Sequence, residues 1–356
     1  MRMKLMMLIP VTVLLAMPLA AQAATPALQG YGADLSQTSV SGISSGGFMA
    51  AQLATAYSSR FRGVGVIAAG PYDCASTYPS HSLLQNAMTT CMSPLGASVG
   101  PKSDVSWDNA KRYAQAGKID PVADLARQRV YIFSGSSDTT VKTIVVDQVE
   151  EYYHRAGAPA SAIQYRKNNA GHAIITDRPQ DVACAATHAP YINNCGFSQS
   201  VELLAHLYGE RSRPASKAPL TGSIVRFDQR EFINGSRSSM DDTAYAYVPR
   251  DCQKNACVVH VAFHGCQQGA SEIGERFYMG TGYNEYAETN RMIILYPQAR
   301  PSNGIPYNPK GCWDFWGYSS EDQRHPDFQM HSAPQMRAVM AMLRRLGQPR
   351  AAAAAR

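Results

Sequence analysis

Short apolar segments alternate along the chain with stretches whose apolar positions recur every three or four residues. Leu35 to Val40 has the length of a strand, and Met49, Leu53 and Ala56 follow it at helical spacing. Gly63 to Gly70 is an apolar run bounded by glycines, which predicts a buried strand lying parallel to the first. Arg129 to Phe133 reads as a strand, Val141 to Tyr153 as a helix, Ala162 to Arg166 as a strand and Val201 to Tyr208 as a helix. In the later part, Ser223 to Phe227 and Thr243 to Val248 alternate as antiparallel strands do. Cys257 to Phe263 and Met292 to Pro297 are buried-strand runs, and Pro334 to Leu346 is an amphipathic closing helix. This order predicts an α/β fold with a mostly parallel central sheet flanked by helices.

Three segments break the pattern. Residues 71–106 carry Pro71, Pro79 and Pro94 without a period, and are read as surface decoration rather than a lid. Glu210 to Pro219 is polar and proline-punctuated, as a linker should be. The N-terminus places Met1-Arg2-Met3-Lys4 before an apolar run to Ala20 and the small residues Ala21-Gln22-Ala23, the order of a cleaved export signal. The expected organisation is a signal peptide over 1–23, one catalytic domain over 24–346 with its linker at about 211–219, and a disordered tail over 347–356. The run is shorter than a membrane span needs. A secreted protein, extracellular or periplasmic, follows.

Composition refines this picture. Hydrophobic residues make up 45% and charged residues 17% of the chain, enough to build a large core. The net charge of +6 is spread along the sequence, without a basic run interleaved with aromatics, so no nucleic-acid partner is expected. The eight cysteines are even in number and form no C-x-x-C pair, which in an exported chain favours disulfides over zinc. Neighbours in sequence suggest Cys74 with Cys91, Cys184 with Cys195 and Cys252 with Cys257, leaving Cys266 with Cys312.

The candidate chemistry begins at Gly42-Ile43-Ser44-Ser45-Gly46. This G-x-S-x-G stretch lies between a predicted strand and helix, where a tight turn would hold the Ser44 hydroxyl clear of the sheet as a nucleophile. Asp138 follows the Arg129 to Phe133 strand, and His172 follows the Ala162 to Arg166 strand in Asn168-Asn169-Ala170-Gly171-His172. Nucleophile, acid and base thus come in the α/β-hydrolase order, each past a strand end. His172 would take the Ser44 proton and Asp138 would hold the imidazole.

An oxyanion donor is missing before the serine, but His264-Gly265-Cys266 after the 257–263 strand supplies one. A circular permutation accounts for its late position: the sheet's opening strands lie at 223–263, and the linker joins what are elsewhere the chain ends. The amides of Ser45 and Cys266 would then form the oxyanion hole, each donor worth roughly 3 kcal/mol of barrier. Tyr307 to Tyr318 gathers five aromatics in one loop, which a Cys266–Cys312 bond would tie beside the oxyanion turn.

Taken together, Gly42-Ile43-Ser44-Ser45-Gly46-Gly47-Phe48, Ser134-Gly135-Ser136-Ser137-Asp138, Asn169-Ala170-Gly171-His172 and His264-Gly265-Cys266-Gln267-Gln268 resemble the exported poly(3-hydroxybutyrate) depolymerases with a circularly permuted catalytic domain. The likeness runs from about Gly30 to Leu346. It implies a disulfide-stapled α/β-hydrolase without metal or cofactor, serine-catalysed cleavage of a polyester or oligoester of 3-hydroxybutyrate, and a surface aromatic, Trp313 or Trp316, touching the substrate. Extracellular members commonly add a polymer-binding domain, whose lack here would direct the activity to amorphous polymer or soluble oligomers. Two rivals stand beside it: a feruloyl- or acetylxylan-type carbohydrate esterase, and a polymer-adhesion protein without chemistry.

Overall fold

The computed structural model describes residues 25–350. The expected signal peptide and residues 351–356 of the expected tail lie outside them. The first half contains β1 (Asp34–Ile43), α1 (Ser45–Ala56), β2 (Phe61–Ile67), a single turn α2 (Leu83–Gln85), α3 (Ser103–Gln115), β3 (Arg129–Gly135), α4 (Thr143–Arg155) and β4 (Ile163–Asn168). Short strands β5 (Ile174–Thr176), β6 (Val182–Ala183) and β7 (Ile192–Asn194) precede α5 (Gln199–Tyr208). The second half contains β8 (Ser223–Asp228), β9 (Thr243–Val248), β10 (Val258–Phe263), α6 (Ala270–Ile273), α7 (Arg276–Gly280), α8 (Tyr283–Asn290), β11 (Met292–Tyr296) and α9 (Pro334–Gly347).

Both halves build one eight-stranded sheet in the order β4-β3-β2-β1-β10-β11-β9-β8. β9 is antiparallel to both of its neighbours, so it alone runs against the other seven. The seam between the halves is the parallel pair of β1 and β10, with Ser39 opposite His260 and Gly42 opposite Phe263. Buried on both faces, β10 and β11 carry nearly unbroken apolar runs rather than an alternation. One apolar core, with Phe48, Val64, Val146 and Met336, lies on one face of the sheet, and a second, with Tyr131, Leu203, Tyr286 and Ile294, lies on the other.

Among the described residues, the segment before β1 lies against the end of α9. Leu346 carbonyl accepts the amides of Tyr31 and Ala33 at 2.9 and 3.0 Å, bringing the end of α9 against the entry to β1. The segment between α5 and β8 is bound along α8: Arg213 N–H donates to Asn290 Oδ1 at 2.6 Å and Ser216 N–H to the Glu285 carbonyl at 2.7 Å. Residues 347–350, expected to belong to the tail, are ordered against the fold. Gly347 completes α9, Gln348 carbonyl accepts from Gly32 N–H at 2.8 Å, and Arg350 donates to the carbonyls of Cys252 and Asn255. The backbone here has partners, so it is held.

The structure forms the disulfides Cys74–Cys91, Cys184–Cys195, Cys252–Cys257 and Cys266–Cys312.

Candidate active site

Ser44 sits between β1 and α1 at φ 56° and ψ −126°, a conformation costly for any residue with a side chain, by about 1–3 kcal/mol. The surroundings that enforce it admit no side-chain carbon. A Cβ on Gly42 would lie 2.2 Å from the Gly46 carbonyl oxygen, and one on Gly46 would lie 2.3 Å from that of His264. Close approach of α1 to β1 and β10 therefore explains the small residues of the turn.

Past β3 and β4, two loops are stitched together. Ser136 and Ser137 amides donate to the carbonyls of Asn168 and Ala170 at 2.7 and 3.0 Å. Asp138 Oδ1 accepts the amides of Thr140 and Val141 at 2.8 and 2.9 Å, which leaves Oδ2 for His172 Nδ1 at 2.7 Å. Both side chains are buried. An imidazole held this way presents Nε2 as acceptor. The small β5-β7-β6 sheet buttresses the base: His172 N–H donates to Thr187 Oγ1 at 2.9 Å, and Asn193 Nδ2 donates to the carbonyls of Ala183, Cys184 and Ala186.

The 264–266 turn lies against Ser44: a Cβ on Gly265 would be 3.2 Å from Ser44 Cβ. Burial pushes His264 down to about 4, so it is neutral at ordinary pH. Its Nδ1 donates to the Gly265 carbonyl at 2.7 Å and its Nε2 accepts from Ala299 N–H at 3.1 Å. Because the C=O and N–H of a trans peptide point in opposite directions, fixing the Gly265 carbonyl aims the Cys266 N–H away from His264. Ser45 opens α1, so its N–H is one of those that a helix leaves without an internal partner. The Ser45 hydroxyl in turn accepts from Trp313 N–H at 3.2 Å.

Above Ser44 lies a cavity of about 340 Å³, lined among others by Phe48, Leu84, Met88, Tyr307, Cys266 and Trp316. Phe315 stacks on Phe48 at 4.2 Å and meets Trp316 edge-on at 4.9 Å, which fixes the Trp316 ring in the wall. Trp313, expected as a second substrate contact, is fully buried against Phe263 and His264 and cannot touch a substrate. The loop itself decides between the two tryptophans: Asp314 points inward and accepts the amides of Trp316, Gly317, Tyr318 and Ser319, turning the chain so that Trp316 emerges.

Residues 71–106 are also more than decoration, since Leu84, Met88 and Met92 form one wall of this cavity. Their spacing of four residues is a helical stripe within a proline-rich stretch, and was the signal available for them. Among the described residues no group of three or more His, Cys, Asp or Glu side chains stands ready to hold a metal ion, and no helix is long and apolar enough to cross a membrane.

No family model matches the chain. A poly(3-hydroxybutyrate) depolymerase of Delftia acidovorans is 40% identical over 319 residues, covering 88% of this chain and 60% of that one, so the chain spans about three fifths of that relative's length. A polyhydroxybutyrate depolymerase of Talaromyces funiculosus is 38% identical over 319 residues, 85% of this chain and 89% of that one. An acetylxylan esterase A of Emericella nidulans is 37% identical over 100 residues, 26% of this chain and 29% of that one. The crystal structure of a PHB depolymerase from Penicillium funiculosum superposes with a TM-score of 0.78 at 34% identity, covering 90% of this chain and 98% of that one. A serine-to-alanine form of a PHB depolymerase, in complex with an R3HB trimer, matches over the same shares at 34% identity and a TM-score of 0.79. With such likeness over nearly the whole length of the Talaromyces relative, on a shared α/β-hydrolase fold, the chain belongs to the poly(3-hydroxybutyrate) depolymerases.

Proposed function

We propose that this chain is a secreted serine esterase that cleaves poly(3-hydroxybutyrate) or its oligomers through an acyl-enzyme. Ser44 Oγ attacks the ester carbonyl carbon while His172 Nε2 takes its proton, and Asp138 stabilises the imidazolium through Nδ1–H. The developing oxyanion is received by the amides of Ser45 and Cys266. The ester C–O bond then breaks, His172 returns the proton to the departing hydroxyl, and water repeats the sequence to release the 3-hydroxy acid. A single domain over 24–346, with its ancestral ends joined at about 211–219, and export by the N-terminal signal complete the reading.

The observation that carries it is the strained Ser44 at the floor of an apolar cleft, with a preformed amide turn beside it. Leu84, Met88 and Tyr307, at 53%, 59% and 69% exposure, edge the cleft with apolar surface suited to a polyester. A carbohydrate esterase, favoured by the shorter acetylxylan esterase match, would need polar side chains to hold a sugar, and this wall offers few.

The test is product release from amorphous poly(3-hydroxybutyrate), and from its soluble trimer, by the parent and by Ser44→Ala. The parent should release 3-hydroxybutyric acid, and the variant should lose turnover by at least roughly 10⁴-fold with its thermal midpoint nearly unchanged. Turnover retained in the variant, or acetylated xylan preferred by the parent, overturns the proposal.

A further inference from the structure

We infer that Gln268 is a positioning residue that sets the oxyanion turn against the loop of the catalytic base; the inference rests on the proposed function above. Gln268 is 1% exposed and its side-chain amide bridges two segments from opposite halves of the chain. Its Oε1 accepts the Gly265 N–H at 2.8 Å, inside the turn that carries the Cys266 amide. Its Nε2 donates to the carbonyls of Pro190 and Tyr191, each at 3.0 Å.

The orientation of this amide is fixed by its partners, because a backbone N–H can only donate and two carbonyls can only accept. On the far side, the Tyr191 carbonyl also accepts Ile174 N–H at 3.0 Å, two residues beyond His172, and the Tyr191 ring stands edge-on to the His172 imidazole. Gln268 thus fixes the distance between the turn that receives the oxyanion and the backbone that carries the base, beside one longer link in which Tyr191 Oη donates to Gln267 Oε1 at 3.3 Å. The Cys266–Cys312 bond and the Gln267 N–H to Lys310 carbonyl bond, 2.8 Å, tie the same turn to the aromatic loop instead. Neither reaches the base. Glutamate would set an oxygen against two carbonyls, and leucine would leave the Gly265 N–H and the Pro190 carbonyl unpaired, the Tyr191 carbonyl keeping only Ile174 N–H.

A clamp of this kind acts on the transition state more than on substrate binding. The experiment compares parent, Gln268→Leu and Gln268→Glu on p-nitrophenyl butyrate, with rates normalised to Ser44 sites titrated by a fluorophosphonate. Affinity for phenylethylboronic acid, whose tetrahedral adduct on the serine places an oxygen in the oxyanion position, is measured alongside. The expected result is kcat per titrated site lower by roughly 10- to 100-fold, less than for outright loss of an oxyanion donor. KM should stay within twofold, and boronate affinity should fall in parallel with kcat. Where the leucine variant yields no folded protein, the glutamate variant decides alone. The inference is overturned by unchanged kcat per site, by a loss confined to KM or to the number of titrated sites, or by boronate affinity that holds while kcat falls. A parent that neither turns over the ester nor labels would instead remove the proposed function.

Discussion

Strand β1 carries Ser39, which is bonded to a histidine, and ends just before Ser44, and the different surroundings of these two serines separate a structural contact from a reactive one. Ser39, within the strand, has a direct histidine contact: its Oγ lies 2.7 Å from His260 Nδ1, while Ser41 Oγ lies 2.8 Å from the same ring's Nε2. Yet Ser39 and His260 are wholly buried, no carboxylate among the described residues bonds to them, and both ring nitrogens are occupied by hydroxyls. Tyr208 and Tyr283 close the network from α5 and α8. Ser44, just past the strand's end, stands in a strained turn at the floor of a cavity, and the histidine expected to serve it is backed by Asp138. A hydrogen bond between serine and histidine does not make a nucleophile; access, a carboxylate and an oxyanion site are needed as well.

The contrast can be broken by experiment. Ser39→Ala should leave ester turnover within twofold of the parent while lowering stability by about 1–3 kcal/mol, the cost of leaving buried partners unsatisfied. Chemical denaturation read beside esterase activity checks both halves of that expectation. A variant that folds as stably as the parent but loses turnover would move Ser39 into the chemistry.

A smaller effect should be seen in the acid limb of stability. Burial holds His260 down to about 3 in the fold, whereas an unfolded histidine takes its proton near about 6.5. Between those values the unfolded chain binds more protons, so stability falls as the pH drops, by at most about 1.4 kcal/mol per unit from this group. His264, held at about 4 by burial, adds to the same slope over a narrower window. Thermal midpoints across this range should fall less steeply in His260→Phe than in the parent. Equal slopes would show that His260 is not the buried neutral group described.

Much of this arrangement was legible in the sequence because it depends on local pattern and order. The strand runs at β2, β3, β10 and β11 are largely apolar, and the serine, acid and base follow β1, β3 and β4 in turn, so both fold and candidate site emerge from one reading. The late His264-Gly265-Cys266 turn was legible for the same reason, because it follows an apolar run that pairs with β1 as β10. What escaped depends on direction rather than spacing. A loop has no period, so nothing in Cys312-Trp313-Asp314-Phe315-Trp316 says that Trp313 turns inward while Asp314 gathers the following amides. The cleft wall from Leu84 to Met92 escaped because the flanking Pro79 and Pro94 masked a helical stripe, and the anchoring of residues 347–350 because their partners, Gly32, Cys252 and Asn255, are distant in sequence.

The central claim is that Ser44, not its neighbour along the strand, is the group raised to reactivity by elements from both halves of the chain. Treating the folded protein with a fluorophosphonate and locating the adduct by peptide mass mapping tests it most directly. The account predicts one adduct per chain, on Ser44, lost in Ser44→Ala and kept in Ser39→Ala. An adduct on any other residue, or none on an enzyme that still hydrolyses its ester, would contradict it.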